Sequence, residues 1–153
     1  MEEKKEIEEV DCESGECVID LSKLAGRKKG ERLSPDGGIL IILARGTYGH
    51  FDDGYSAIQA ANAALAVEED AAILLLDDGV YFGVKGQDTR EIDIVNNTSF
   101  ITDLIEVGGR VMAIKPSLEK RGLTEEDLIE GIEVVENSRC VREILDYKVS
   151  LTF

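Results

Sequence analysis

The apolar run Ile39–Ala44 constrains the fold more than any other feature, because it stops abruptly at the glycine-bracketed polar loop Arg45–His50. A continuous apolar run is typical of a strand buried on both faces, as in a parallel sheet covered by helices. An alanine-rich stretch with helical spacing follows, from Asp52 or Asp53 to about Val67. Ligands of open α/β sheets bind outside the carboxyl ends of the strands. We therefore expect the loop to lie at the binding edge of the molecule.

The remaining sequence alternates strand-like and helix-like segments in the same way. Apolar runs predict four more strands, at Ala71–Leu76, Arg110–Ile114, Ile132–Val135 and Lys148–Phe153. Capping and stop residues predict helices at Thr98–Val107, after Pro116, at Glu125–Glu130, and from Asn137 or Ser138 through Tyr147. Such alternation favours a parallel sheet between helices. We predict a three-layer α/β/α domain with a mainly parallel five-stranded sheet over residues 38–153, preceded by an N-terminal arm over residues 1–37.

The charge of the chain excludes several classes of partner. Its 153 residues include 32 Asp and Glu against 17 Lys and Arg, for a formal net charge of -15. Phosphate groups are bound by clustered cations, so we expect neither nucleic acid nor an anionic membrane surface as a partner. No apolar run is long enough to span a bilayer and the N-terminus is charged, so we expect a cytoplasmic protein.

The loop after the first strand offers Thr47, Tyr48 and Gly49 as candidate ligand-binding residues. Gly46 and Gly49 let the backbone turn tightly beside a helix start, where free N–H groups suit an anion. No Lys-Ser/Thr pair follows, so the loop is neither a P-loop nor a dinucleotide fingerprint, and we expect no cofactor. The structural alternative is a tight strand-to-helix turn that binds nothing.

Charged residues follow the second and third predicted strands and should reach the same edge. Asp78 closes the second strand beside Gly79, while Lys115, Ser117 and Arg121 follow the third. The Asp-Asp pair after the second strand could hold Mg²⁺, but the adjacent glycine favours a turn, and we predict no metal site. Lys115 and Arg121 are expected to make the edge locally positive and suited to an anion. Alternatively, Arg121 pairs with Glu119, Glu125 or Asp78 and only holds its helix.

Three cysteines are candidate reactive thiols, and they do not form the framework of a disulfide scaffold. Cys12 and Cys17 lie in the arm, where acidic neighbours would raise their pKa, although a basic partner could reverse this. Cys140 lies between Arg139 and Arg142 near a helix start, which favours a thiolate, but it could equally be a small buried residue. Because thiol exchange needs an accessible thiolate, we rank Cys17 and Cys12 ahead of Cys140 as reactive thiols.

Apolar residues in or beside the long connection Val80–Asn97 indicate surface that a monomer would leave uncovered. They are Tyr81, Phe82, Val84 and Phe100. Such surface predicts a homo-oligomer.

An ordered set of short motifs from about Gly38 to Phe153 resembles the DsrE/DsrF family of sulfur-relay proteins. The motifs are Gly46–Gly49 with the alanine-rich helix after it, Leu76–Tyr81, Ser117–Leu123, Asp127-Leu128, Gly131-Ile132 and Val149–Phe153. The resemblance implies a three-layer fold with a five-stranded sheet, assembly into trimers or hexamers, and persulfide transfer between protein thiols. It also implies partners among other sulfur-carrier proteins.

The chain departs from the family pattern at the expected sulfur-carrying cysteine. Sulfur-carrying members place it at the end of the third strand, where this chain has Ile114 or Ser117. The leading hypothesis is sulfur trafficking, with a possible sulfurtransferase activity at one of the other cysteines. A non-catalytic assembly or regulatory subunit is the first alternative. A small-ligand-binding α/β domain is the second.

Overall fold

The five strands in the described part of the chain form one sheet, and every neighbouring pair is parallel. The computed structural model describes residues 37–46, 48 and 53–153. The strands are β1 (Ile39–Leu43), β2 (Ala71–Leu75), β3 (Arg110–Ile114), β4 (Glu133–Val135) and β5 (Val149–Thr152). Their order is β4-β3-β2-β1-β5. The predicted parallel α/β sheet is confirmed, and each strand agrees with its apolar run to within one residue at either end.

Four α-helices and two 3₁₀ helices connect these strands. The α-helices are α1 (Asp53–Ala66), α2 (Asn97–Glu106), α3 (Lys115–Glu119) and α4 (Asn137–Asp146). One 3₁₀ helix, Asp77–Gly83, lies where the sequence predicted an irregular connection, and the other is only Glu125–Asp127. The helix predicted over Glu125–Glu130 is therefore wrong in length. Its capping box at Thr124 is present, but the helix ends at Asp127 and Leu128 is extended. Leu128 is buried and forms a β-bridge with Val84.

The order of the strands defines where the chain reverses direction across the sheet. From β1 the chain steps outward through β2, β3 and β4, and then returns past β1 to place β5 at the opposite edge. The reversal point lies between β1 and β5, and the loop after β1 leaves the sheet there. Ligand sites of open α/β sheets concentrate at such reversal points, outside the carboxyl ends of the strands. The topology therefore supports the edge that the sequence predicted.

Two apolar clusters lie on opposite faces of the sheet. The larger cluster packs α1 and α2 against the odd-numbered residues of β1, with Ala57, Ile58 and Leu104 fully buried. The smaller cluster lies under α4, whose Cys140 and Ile144 pack against the sheet. Apolar burial of this kind supplies most of the favourable free energy of folding.

A buried ion pair fixes α4 to the sheet. Arg110, the first residue of β3, donates Nη1 to Glu143 Oε2 and Nη2 to Glu143 Oε1, both at 3.1 Å. Arg110 is 7% exposed and Glu143 is 3% exposed. Burial alone would raise the pKa of Glu143, but hydrogen bonds from Arg110 and Arg139 outweigh it and hold the pKa below its ordinary value. The pair ties the start of β3 to the helix that carries Cys140.

Among the residues that the structure describes, no helix has the length and hydropathy needed to cross a membrane.

Candidate functional site

Four residues from two segments, one after β2 and one after β3, form a polar cluster at the carboxyl ends of these strands. Arg121 donates Nε and Nη2 to Asp78 Oδ1 at 2.9 and 2.6 Å, and its Nη1 to the Ser117 carbonyl oxygen at 3.0 Å. The backbone N–H of Asp77 donates to Ser117 Oγ at 3.0 Å. We call Asp77, Asp78, Ser117 and Arg121 the polar cluster. Of the predicted ligand-binding residues, it unites Asp78, Ser117 and Arg121.

The backbone after β2 is shaped to bring this cluster against β1. Asp77 has a φ of 49°, in the left-handed region that L-residues rarely adopt. Leu76 N–H donates to the Leu43 carbonyl oxygen at 2.8 Å. A Cβ at Gly79 would lie 2.0 Å from that same oxygen, so only glycine fits this approach. The 3₁₀ helix is thus locked onto the end of β1, which sets the position of Asp78.

Arg121 therefore pairs with the carboxylate of Asp78. This is the alternative given above, in which Arg121 holds its helix rather than binding an anion. The guanidinium is 17% exposed and the Asp78 carboxylate is 62% exposed. Lys115 pairs with Glu136 at 3.0 Å, and this hydrogen bond is the main cause that raises the pKa of Lys115. Each of the two predicted cations is thus matched by an acid. The edge presents hydrogen-bonding groups rather than a strongly positive field.

Tyr48 lies beside the start of α2. Within the described residues its hydroxyl is buried and has no hydrogen-bond partner. Burial raises the pKa of this hydroxyl, and the backbone amide of Asn97 partly offsets the effect. Thr47 and Gly49, the other two candidates in the loop after β1, lie outside the described residues.

Cys140 lies away from the polar cluster, on α4 and partly buried in the smaller apolar cluster. Burial raises the pKa of its thiol, the reverse of the lowering expected from Arg139 and Arg142. Arg139, one of the two arginines, donates Nε to Glu143 at 2.6 Å and so serves the buried ion pair. Cys12 and Cys17 lie outside the described residues.

The apolar residues on which the oligomer prediction rested are mostly not surface residues. Phe82 is 1% exposed, because its ring packs where a Cβ at Gly54 would lie 2.0 Å from Cζ. Phe100 is half-buried and meets Tyr55 edge-on, with ring centroids 5.6 Å apart. Tyr81 alone of the four is exposed. The use of Phe82 as surface evidence is therefore wrong, since the glycine on α1 makes room for it.

The surface apolar residues lie elsewhere, and the longest run of them was missed in the sequence. Ile92, Ile94 and Val95 are 57%, 43% and 57% exposed, in a loop whose ends are tied together. Asn96 Nδ2 donates to the Gln87 carbonyl oxygen at 2.9 Å. Gln87 Nε2 donates to the carbonyl oxygens of Tyr81 and Val84 at 2.6 and 2.8 Å. Two isoleucines and a valine beside Glu91 and Asp93 were the available signal. We call residues 87–96 the tied loop.

In the described part of the chain, no group of three His, Cys, Asp or Glu residues could hold a metal ion. The donors of the polar cluster are instead bonded to one another. The arrangement can present the Asp78 carboxylate and the guanidinium of Arg121 that it holds to a docking partner, while the Ser117 hydroxyl is buried.

Comparison with known proteins matches this chain to one family over most of its length. The model of the DsrE/DsrF-like family matches residues 38–153. An uncharacterised protein from Methanopyrus kandleri is 38% identical over 96 residues, which cover 63% of this chain and 77% of that protein. The intracellular sulfur oxidation protein DsrF of Allochromatium vinosum is 35% identical over 98 residues, covering 60% of this chain and 71% of DsrF.

A solved structure shares the same architecture. The crystal structure of the ychN protein from E. coli superposes with a TM-score of 0.70 at 24% identity, covering 76% of this chain and 99% of that one. At this identity the likeness shows the fold alone. It agrees with the parallel five-stranded sheet described above.

Proposed function

The chain belongs to the DsrE/DsrF-like family, and on this premise we propose that it takes part in intracellular sulfur trafficking, relaying persulfide sulfur between protein thiols. The observation that carries the proposal is the family match over residues 38–153, joined by the relative named as an intracellular sulfur oxidation protein. The reversal point between β1 and β5 and the adjacent polar cluster give such a protein an edge for its partners.

The proposed chemistry is an exchange without net oxidation. A thiolate of the protein attacks the outer sulfur of a donor persulfide, a new S–S bond forms, and the donor's S–S bond breaks. The donor leaves as a thiolate and the protein holds the persulfide. A second exchange passes the outer sulfur to an acceptor thiol in the same way. The carrier must therefore be a cysteine that another protein's thiol can reach.

The arm cysteines, Cys12 and Cys17, are the proposed carriers. Cys140 is the weaker candidate because burial raises the pKa of its thiol and its side chain packs between α4 and the sheet. The polar cluster and the tied loop would then bind the partner that brings or receives the sulfur. We further propose that the protein self-associates, as a trimer or hexamer, and that it works with other sulfur-carrier proteins.

A second candidate is a non-catalytic subunit that assembles or regulates a sulfur-relay complex. Ser117 favours it, since a hydroxyl stands near the end of β3 where sulfur-carrying members are expected to have a thiol. That hydroxyl is buried and accepts a hydrogen bond from the Asp77 N–H, so it joins α3 to the 3₁₀ helix that follows β2. In this role the cluster would be a rigid docking surface, and no cysteine of the chain would carry sulfur.

Mass spectrometry of the intact protein separates the two candidates. The full reduced chain is incubated with a cysteine desulfurase and L-cysteine, and the mass of the protein is then measured. The relay proposal predicts added sulfur on the wild type and on Cys140→Ser, which is the matched control. It predicts loss of that sulfur in the double variant Cys12→Ser/Cys17→Ser. Absence of added sulfur on the wild type refutes the relay and supports the assembly subunit.

A further inference from the structure

Among the described residues, no strand pairs with the outer edge of β5, and the strand itself lacks the features that normally keep a sheet edge from pairing. In this strand Val149, Ser150, Leu151 and Thr152 are all exposed, and none of them is charged or proline. Natural proteins protect edge strands with charges, prolines, bulges or very short length. The opposite edge of the same sheet is protected in this way, since β4 has only three residues and begins with the exposed Glu133.

The register of β5 shows which backbone groups face outward. Val149 N–H donates to the Gly38 carbonyl oxygen, and Phe153 N–H donates to the Ile42 carbonyl oxygen. In a parallel pair the N–H and C=O of one residue face the same neighbour, and successive residues alternate. The odd-numbered residues therefore bond to β1. The N–H and C=O groups of Ser150 and Thr152 point away from the sheet.

Exposed apolar side chains lie on β5 and on α4, the helix that precedes it in the chain. Val149 and Leu151 are 45% and 40% exposed, on the strand itself. On α4, Val141 and Leu145 are 55% and 76% exposed and are separated by one helical turn. Glu143, on the same helix, faces Arg110 of β3, and Val141 and Leu145 lie on the opposite side of that helix.

We propose that this edge is a self-association surface, on which β5 pairs antiparallel with β5 of a second copy across a twofold axis. With Ser150 on the axis, Val149 lies opposite Leu151 of the second copy and Leu151 opposite its Val149. The outward groups of Ser150 and Thr152 are then satisfied by main-chain hydrogen bonds, because both residues sit at hydrogen-bonded positions of the antiparallel ladder. Apolar cross-strand pairs add to this stability.

Charge favours a second copy over a different partner. A formal net charge of -15 makes most of the surface of one copy repel another, and a basic partner would be drawn to the acidic surface instead. At the uncharged edge of β5, two acidic copies can meet without placing like charges opposite each other. The proposal rests on the self-association proposed above and is independent of the sulfur chemistry. A twofold contact joins two trimers into a hexamer, so it favours the hexamer.

A proline on the outer edge tests the pairing without disturbing the sheet. Ser150→Pro removes an outward N–H that β1 does not use, so the domain should fold while the pairing is lost. Ser150→Ala, which keeps the N–H, is the matched control. Sedimentation of the full chain should give half the wild-type mass for Ser150→Pro and the wild-type mass for Ser150→Ala, with circular dichroism unchanged in both. A wild-type assembly that Ser150→Pro leaves intact refutes the β5 contact alone, whereas a monomeric wild type refutes self-association as well.

Engineered cysteines test the register and do not depend on the proline variant folding. Facing residues at a hydrogen-bonded antiparallel position have Cα atoms about 5.5 Å apart, which suits a disulfide. With the three natural cysteines changed to serine, Ser150→Cys should therefore give disulfide-linked dimers under mild oxidation. Thr152→Cys is the control, because the two copies of residue 152 lie about 14 Å apart, four residues of strand rise. Equal cross-linking of the two variants, or none, overturns the proposed register.

Discussion

Removing the carboxylate of Glu143 should destabilise the protein through the charge that it leaves behind. The guanidinium of Arg110 is 7% exposed, and both of its terminal nitrogens donate to Glu143. Breaking a buried pair by removing one partner typically costs about 3–5 kcal/mol, because the remaining charge is desolvated and unpaired. Arg110 keeps a 3.4 Å contact to the exposed Glu133, so we expect Glu143→Ala to cost about 3 kcal/mol, at the lower end of that range.

Urea denaturation at neutral pH measures this effect, and two variants control it. Arg139→Ala removes a half-exposed partner of the same carboxylate and should cost less than about 1 kcal/mol. The double variant Arg110→Met/Glu143→Met removes both charges and should be more stable than Glu143→Ala, since no buried charge is left unpaired. Because Glu143 has a lowered pKa in the folded protein, its contribution should be complete above the unfolded value of 4.5 and be lost as the pH falls through the folded value. A loss below 1 kcal/mol in Glu143→Ala, or a double variant no more stable than it, would refute this reasoning.

Three further predictions concern the packing of the site. Gly79→Ala places a Cβ 2.0 Å from the Leu43 carbonyl oxygen and should lower the free energy of unfolding by at least about 2 kcal/mol in urea denaturation; an unchanged midpoint would contradict the close approach. Asn96→Ala removes the side chain that caps α2 at Thr98 N–H, and should cost about 1 kcal/mol and speed limited proteolysis of the tied loop; equal cleavage rates would contradict its role. Iodoacetamide should modify Cys140 more slowly in the native than in the urea-unfolded protein, and equal rates would show that the thiol is not shielded.

Local sequence signals were enough to predict the framework of the fold. The strands β1, β2 and β3 are short, largely apolar segments ended by turn residues, and burial on both faces makes such segments continuous rather than alternating. The helix start at Asp53 and the stop at Gly122, with its φ of 66°, likewise follow from local chemistry. Arg110–Ile114 was predicted to the residue because apolar and turn residues bound it sharply.

Contacts between segments distant in the chain determine the structural features that could not be predicted from the sequence. Phe82 is buried because Gly54 leaves room for its ring, and the 3₁₀ helix after β2 forms because Gly79 can approach β1. The pair of Arg110 and Glu143 joins residues 33 positions apart, which no local pattern indicates. Arg139 also donates to Glu143 of this pair, whereas the sequence predicted that it would stabilise a thiolate at Cys140.

The candidate site was predictable in part, for the same reason. The parallel topology gathers strand ends at one edge, so Asp78, Ser117 and Arg121 could be expected to meet there. Which of them would be bonded to each other depends on the placement of α3 after β3, a tertiary feature. Four consecutive uncharged residues in β5 mark an open edge only once the order of the strands is known.

A sulfur-transfer chase tests the central claim, the relay of sulfur through the arm cysteines, most directly. The loaded and desalted full chain is mixed with a thiol peptide, and the masses of both are followed together with the sulfide released. The relay predicts that the sulfur atom leaves the protein and appears on the peptide as a persulfide, with Cys12→Ser/Cys17→Ser inactive and Cys140→Ser unaffected. Release of the sulfur as free sulfide with a disulfide left behind, or transfer that requires Cys140, would contradict the account.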